Sequence, residues 1–481
     1  MNGIALRRHP AFWWLAAAAV GALTAVLAVR VDVRLLLAVF AIGAAAVAAV
    51  RFRQAAALAT LAFLPFLGLV RRLLIPVDGW PKYDPLLLIG PAVVLTLFFL
   101  AWYEGRLDWR STPLSYWVTL LTAWMAIEMF NPSGLSGNIA GGMYIVIPLL
   151  WFFVGRTYGD LALLRTVLVY VLCAMVLIAC YGLYQTFVGF PPWDLDWIRV
   201  GGYAALHVAG VVRAFGTFPS SAEYGFSLGV GVVIAFALLV RGGVAGRRWA
   251  PLLLAAIALM GVALFFESQR SALLYALGAC GLVWAVAPGT RRRVITRLAL
   301  TAVAAGGAYL AFAHSLAHVA VAGAVNGLVT HDTHFLVDPF GAHSTLPGHL
   351  QRIVGGIRAG LRRPWGYGLG AVSVAGKLGG AYAASGTEFD LSNAFVAGGV
   401  VGGLLFLPAW IWGWARAAVG ARQAGWVLAA VLGVLVAVFG NWMNGGQYFL
   451  SAFVWFVLGV VDRVLGTGDP HPAHGAAAVE R

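Results

Sequence analysis

Residues Leu161–Val188 read LALLRTVLVYVLCAMVLIACYGLYQTFV, and the one charged residue among them is Arg165. About 20 consecutive apolar residues suffice to carry a helix across the hydrocarbon core of a bilayer. A strand of this composition would leave its amides unpaired in lipid unless it closed into a barrel. Barrel strands alternate apolar with polar residues, and this run does not. It reads as a transmembrane helix, and the rest of the chain repeats the pattern.

The 481 residues are 61% hydrophobic and 10% charged, with a mean hydropathy of +0.87. Comparable apolar runs fall at 11–29, 34–50, 54–70, 85–103, 113–130, 137–154, 221–240, 249–266, 270–287, 298–317, 392–414, 425–441 and 446–465. The predicted fold is all-α, a polytopic transmembrane helical bundle of about 14 spans (range about 12–14) with a large extracytoplasmic loop that contains an amphipathic helix. Residues 1–465 form one integral membrane domain in this reading. Residues 318–391 are its large loop, and 466–481, rich in small residues and Pro, are a disordered cytoplasmic tail. The run Ala11–Val29 lacks a convincing cleavage site and reads as the first span, not as a signal peptide.

Net charge is +14 and rests on arginine, the only lysines being Lys82 and Lys377. Arg7/Arg8, Arg51/Arg53, Arg106/Arg110, Arg156/Arg165, Arg241/Arg247/Arg248, Arg291/Arg292/Arg293/Arg297 and Arg416/Arg422 occupy alternate connections. The positive-inside rule puts all of these in the cytoplasm, with both termini. Such scattering makes nucleic acid a poor partner. Cys173, Cys180 and Cys280 lie inside apolar runs and form neither a disulfide framework nor a zinc pattern.

The longest gap between spans holds Gly348–Gly370, GHLQRIVGGIRAGLRRPWGYGLG. Leu350, Ile353, Val354, Ile357 and Leu361 recur at helical spacing, and Arg352, Arg358, Arg362 and Arg363 project from the other sides. Pro364 ends the helix, and Gly366, Gly368 and Gly370 follow. A basic amphipathic helix at a membrane surface suits an anionic, lipid-linked ligand; the plainer reading is a surface helix whose arginines snorkel to headgroups.

Against the rule, Arg71, Arg72, Arg199, Arg213 and Arg270 fall on the outer side, where each needs a headgroup, a carboxylate or a substrate. Arg270 could pair with Glu267, or converge with Arg213 on a diphosphate, whose oxygens suit guanidinium forks. Glu128, Glu223, Glu267, Glu388 and Asp390 are the carboxylates near this side, as functional groups or as counter-charges. His314, His318, His331, His334, His343 and His349 cluster in or near the long loop. No HExxH or cysteine ligand accompanies them, so they read as solvated loop residues and not as a metal site, with one of them available as a general base. No P-loop and no GxSxG elbow is present, which argues against a nucleotide-driven pump.

Five motifs then follow in order: YGLYQ (Tyr181–Gln185), PPWD (Pro191–Asp194), RAFGTFPSSAEYG (Arg213–Gly225), SQRSALL (Ser268–Leu274), and, after the long loop and RPWGYGLG (Arg363–Gly370), LSNAFVAGGVVGGLLFL (Leu391–Leu407). Over about residues 160–410 the chain resembles the O-antigen ligase / O-antigen polymerase superfamily of bacterial envelope glycosyltransferases. The resemblance implies a metal-independent enzyme of the bacterial inner membrane that needs no cofactor. It would transfer a polyprenyl-diphosphate-linked glycan to a glycan or lipid-linked acceptor, beside other envelope polysaccharide assembly proteins. Arg213 and Arg270 match the family's two diphosphate-binding arginines, and Arg352 a basic position before the Pro-x-Gly-x-Gly turn that carries Gly366 and Gly368. Where the ligases carry His-Asn, this chain has Ser392-Asn393. Serine cannot act as imidazole does, so either Asp390, Glu388, His343 or His349 activates the acceptor, or acceptor activation works differently. That departure favours polymerase or exopolysaccharide assembly over ligation. A transporter or flippase for a lipid-linked or anionic glycan, or a non-catalytic assembly scaffold, are the alternatives; the glycine-rich GGVVGG (Gly398–Gly403) fits either a broken helix or close helix packing.

Overall fold

Apolar segments of this kind fold as helices because, in lipid, each backbone N–H must find its carbonyl within its own segment. The computed structural model describes residues 33–81, 83–109, 111–201, 207–208, 210–287, 289–316, 346–372, 389–423, 425–443 and 447–466. The expected first span, Glu388, His318, His331, His334, His343 and the C-terminal tail lie outside them.

In chain order the helices are α1 (Val33–Arg51), α2 (Arg53–Leu73), α3 (Ile75–Asp78), α4 (Ile89–Tyr103, entered through the 3-10 turn Pro85–Leu88), α5 (Pro113–Glu128), α6 (Leu135–Tyr158), α7 (Leu161–Phe187) and α8 (Pro192–Gly201). A two-stranded antiparallel hairpin, β1 (His207–Val208) and β2 (Val211–Val212), interrupts them. Then come α9 (Ser221–Arg241), α10 (Gly243–Arg248), α11 (Ala250–Glu267), α12 (Arg270–Ala285), α13 (Arg291–Leu316), α14 (Leu346–Arg362), α15 (Asp390–Ala421), α16 (Val427–Ala437) and α17 (Tyr448–Gly466). Local signals set several starts. Asp160 accepts the Leu163 amide at 2.7 Å to begin α7, and Thr112 with Ser115 forms a capping box at α5.

Every span expected from 34–50 onward falls on a helix. Among the described residues, nine helices are long and apolar enough to cross a membrane, α4 being counted from Pro85. The expectation of about 14 crossings is therefore met only in part by length and composition. Helices α12 and α16 are apolar but short, at 16 and 11 residues. Helix α5 has 16 residues, and α13 starts on a run of arginines that lowers its hydropathy.

Successive helices alternate direction, so the connections gather at two ends. At one end the short connections meet. Asp462 of α17 is wholly buried there; it pairs with Arg156 of α6 and, at 3.1 Å, with Arg416 of α15, and it accepts the Thr112 hydroxyl at 2.6 Å. At the other end the long connections meet, and Arg34 of α1 lies 2.8 Å from Asp84. Helices α6 and α17 pack closely, with Gly155 under the Phe456 carbonyl and Gly459 under that of Phe152. Helices in lipid approach this closely only where side chains are absent.

Helix α15 is not continuous. Gly399 leaves the helix at φ 63°, ψ −155°, which frees backbone groups in its interior. The turn after α14 takes them up: the Tyr367 amide donates to Val396 O at 2.8 Å, Gly368 N to Ala397 O at 3.0 Å, and Val400 N to Pro364 O at 3.1 Å. Helix α14 turns its small residues to the protein. Its buried residues are Gly356 and Gly360, which let it lie against α15. The expected apolar stripe stays open, with Leu350, Val354 and Leu361 about half exposed. An interfacial helix shows an apolar face of this kind to lipid.

Candidate functional site

At the long-loop end the polar side chains converge on a node built from sequence-distant motifs. Arg72, in the last turn of α2, is 1% exposed. Its Nε lies 2.7 Å from Asp194 Oδ1, and its Nη groups donate to the carbonyls of Phe218 at 2.5 Å and Gly216 at 2.6 Å. Asp194 Oδ2 accepts from the Tyr181 hydroxyl and from Gln185 Nε2, each at 2.7 Å. Gln185 Oε1 in turn accepts the amides of Phe215 at 3.1 Å and Gly216 at 2.8 Å. A buried ion pair offsets its desolvation only with additional partners such as these. Gly216 stands at φ 54°, and a Cβ there would meet Ile178 and Tyr224 at 2.9 Å. YGLYQ, PPWD and the first half of RAFGTFPSSAEYG are thus one polar assembly, and it fixes the loop that begins at Arg213.

Arg213 is 6% exposed. Its Nη1 donates to Gln269 Oε1 at 3.0 Å and lies 3.4 Å from Glu267 Oε1. Both acceptors belong to the turn between α11 and α12. Ser268 between them adopts φ 63°, which is uncommon for a residue with a Cβ. It ends α11 and lets α12 begin at Arg270. Arg213 is therefore held by the residue that precedes Arg270. Glu267, offered by sequence as a counter-charge for Arg270, sits beside Arg213.

The other expected residues are placed as follows. His349 and Arg352 are exposed on α14. Gly366 and Gly368, at φ 72° and 81°, form the turn seated in the break of α15. Asn138 Oδ1 accepts the Gly370 amide at 2.8 Å, Ser133 Oγ donates to Tyr367 O at 2.6 Å, and Trp365 stacks on Trp124 at 5.9 Å, so this turn is clamped from both sides. Ser392 Oγ donates to Phe389 O at 2.7 Å, and Asn393 is buried beside it. Asp390, expected as a base, is wholly buried, and its oxygens accept the amides of Trp442 and, at 2.9 Å, Met443. A carboxylate enclosed in this way braces the 439–443 turn.

Sequence reasoning left Asp194, Gln185 and Tyr181 inside quoted motifs without roles; their recurrence near buried arginines was the available signal. Glu223 was open between functional group and counter-charge. It caps α17, its Oε1 accepting the Phe449 amide at 2.8 Å, while Oε2 is buried with no hydrogen-bond partner among the described residues. Glu223 borders a cavity of about 40 Å³ lined in part by Arg71, Tyr144 and Tyr448. Among the described residues no group of three metal-ligating side chains converges. Compared with family models and with curated proteins, the chain matches none.

Proposed function

We propose that the chain is a membrane glycosyltransferase of the O-antigen ligase and polymerase kind. In this reading it crosses the bacterial inner membrane about 14 times, with both termini cytoplasmic and the long-loop end outside. It polymerises or ligates polyprenyl-diphosphate-linked oligosaccharide there. The observation that carries the reading is the anchoring of Arg213 to the turn that opens on Arg270, at the end that also gathers α14 and its glycine turn.

Bond cleavage at the donor leaves a diphosphate, on which negative charge grows as the glycosidic bond breaks. Two guanidinium forks fixed before the reaction stabilise that charge without a metal and without reorganisation. Arg352, exposed on the basic helix, adds attraction for the same head. With Asp390 committed to a turn, acceptor activation falls to His349 or to Glu388. Polymerisation is preferred to ligation because Ser392 replaces the histidine of the ligases.

A second reading, a flippase, is favoured by one observation: transporters place broken helices at their binding sites, and α15 is broken at Gly399. Vesicles containing the purified protein and a polyprenyl-diphosphate oligosaccharide, without nucleotide, separate the two. The transferase reading expects free polyprenyl diphosphate and longer or transferred glycan. Movement of intact lipid between leaflets with no glycan transfer would replace it by the flippase.

A further inference from the structure

The short-loop end carries a feature that the transfer reaction does not use. A cavity of about 470 Å³ opens there, lined by Arg51, Arg53, Arg106 and Arg463 together with Phe52 and Tyr158. These six come from the α1–α2 elbow, the α4–α5 connection, the end of α6 and the end of α17, so the fold brings the arginines together from distant parts of the chain.

Two carboxylates lie near the four guanidinium groups. Glu104 bonds Arg53 and lies 3.6 Å from Arg106. Asp160 has one oxygen on the Leu163 amide and the other on Gln54 Nε2 at 3.1 Å. Arg463 donates to the carbonyls of Thr157 and Gly159, each at 2.9 Å. Arg51 is exposed, with its guanidinium 5.9 Å from the Phe52 ring. Nε of Arg53 is buried without a partner among the described residues. The space thus has room for a headgroup and an excess of positive charge. Beside it, Val47, Val50 and Phe52 are exposed and offer an apolar surface to acyl chains.

We propose that this cavity binds a phosphate group carried by the headgroup of an anionic membrane lipid. Basic pockets between helix ends on the cytoplasmic side recognise lipid phosphates through the same chemistry, and guanidinium forks match phosphate oxygens in pairs. The site is independent of the glycan reaction and needs only that the chain sit in a bilayer.

The test uses the full chain in nanodiscs of phosphatidylglycerol or of phosphatidylcholine, with bound lipid read by native mass spectrometry after detergent release and thermal stability read in parallel. The wild type is expected to retain phosphatidylglycerol and not phosphatidylcholine, with a higher Tm in the anionic lipid. Arg51→Gln with Arg106→Gln, two exposed positions, is expected to lower that retention at least tenfold without changing the elution profile. Arg51→Lys with Arg106→Lys keeps the charge and is expected to retain an intermediate amount. A third arm adds inorganic phosphate to protein in neutral detergent. Stabilisation there that equals the lipid effect and is lost in the Gln variant keeps the phosphate site but assigns it to a soluble ligand. Equal retention of both lipids by the wild type, or equal retention of phosphatidylglycerol by wild type and Gln variant with no phosphate effect, overturns the proposal.

Discussion

At the scale of single residues, Asp194 is the side chain on which most depends. It neutralises Arg72 and collects Tyr181 and Gln185 within one buried assembly. Removing one member of a buried pair costs about 3–5 kcal/mol, because the other charge stays buried without compensation. Asp194→Ala is therefore expected to lower Tm sharply and to reduce the amount of folded protein in detergent, with Asp194→Asn falling between it and the wild type. A fluorescence-monitored thermal melt reads all three. Glu223 gives a milder case. Glu223→Gln keeps an oxygen for the Phe449 amide and is expected to melt near the wild type, whereas Glu223→Ala removes the cap and is expected to cost about 0.5–2 kcal/mol. Sequence singled these residues out at the ends of apolar runs but could not pair them. Asp194 meets Arg72, and Glu223 meets Phe449, only once α2, α8, α9 and α17 are packed.

The break in α15 is the feature to test among the elements. Glycine at 399 permits φ 63° and the close approach of the Pro364 carbonyl. Alanine at that position meets both a steric collision and the left-handed penalty of about 1–2 kcal/mol. Gly399→Ala is expected to unseat the turn at Pro364–Gly370. Hydrogen exchange should then rise at Tyr367 and Gly368, whose amides are otherwise held by Val396 and Ala397. Unchanged protection in that peptide would show that the turn does not depend on the break. The helix positions were legible from apolar runs because burial in lipid dictates helix. The break was legible only as an ambiguity in GGVVGG, since glycine serves close packing and interruption equally well. The stripe of α14 was legible as that of an amphipathic surface helix, whereas its contact with α15 through the glycines at 356 and 360 was not.

For the whole molecule, the arrangement of charge at the two ends predicts sidedness. Single cysteines placed at Arg352 and at Arg247, in a background lacking Cys173, Cys180 and Cys280, should react with a membrane-impermeant maleimide from opposite sides. In intact cells the Arg352 position is expected to label and the Arg247 position to label only after lysis. Labelling of both from outside would contradict the odd count of crossings expected between them, the spans at 249–266, 270–287 and 298–317, and the assignment of α14 to the outer face. The alternation of arginine-rich connections was readable along the chain; among the described residues Arg51, Arg53 and Arg106 line one cavity, and Arg156 and Arg416 meet on Asp462 at the same end. The meeting of Arg213 with the turn before Arg270 was not derivable from spacing, because it requires Ser268 to turn left-handed and α11 to stop there.

The diphosphate grip is tested most directly by the rate of polyprenyl diphosphate release from a reconstituted donor, compared among wild type, Arg213→Ala, Arg213→Lys and Arg270→Ala at equal folded protein. The account predicts a loss of about 10²-fold or more for each alanine variant, with lysine at 213 restoring part of it because it keeps charge but offers no fork. Alanine variants that release polyprenyl diphosphate within twofold of the wild type would contradict it.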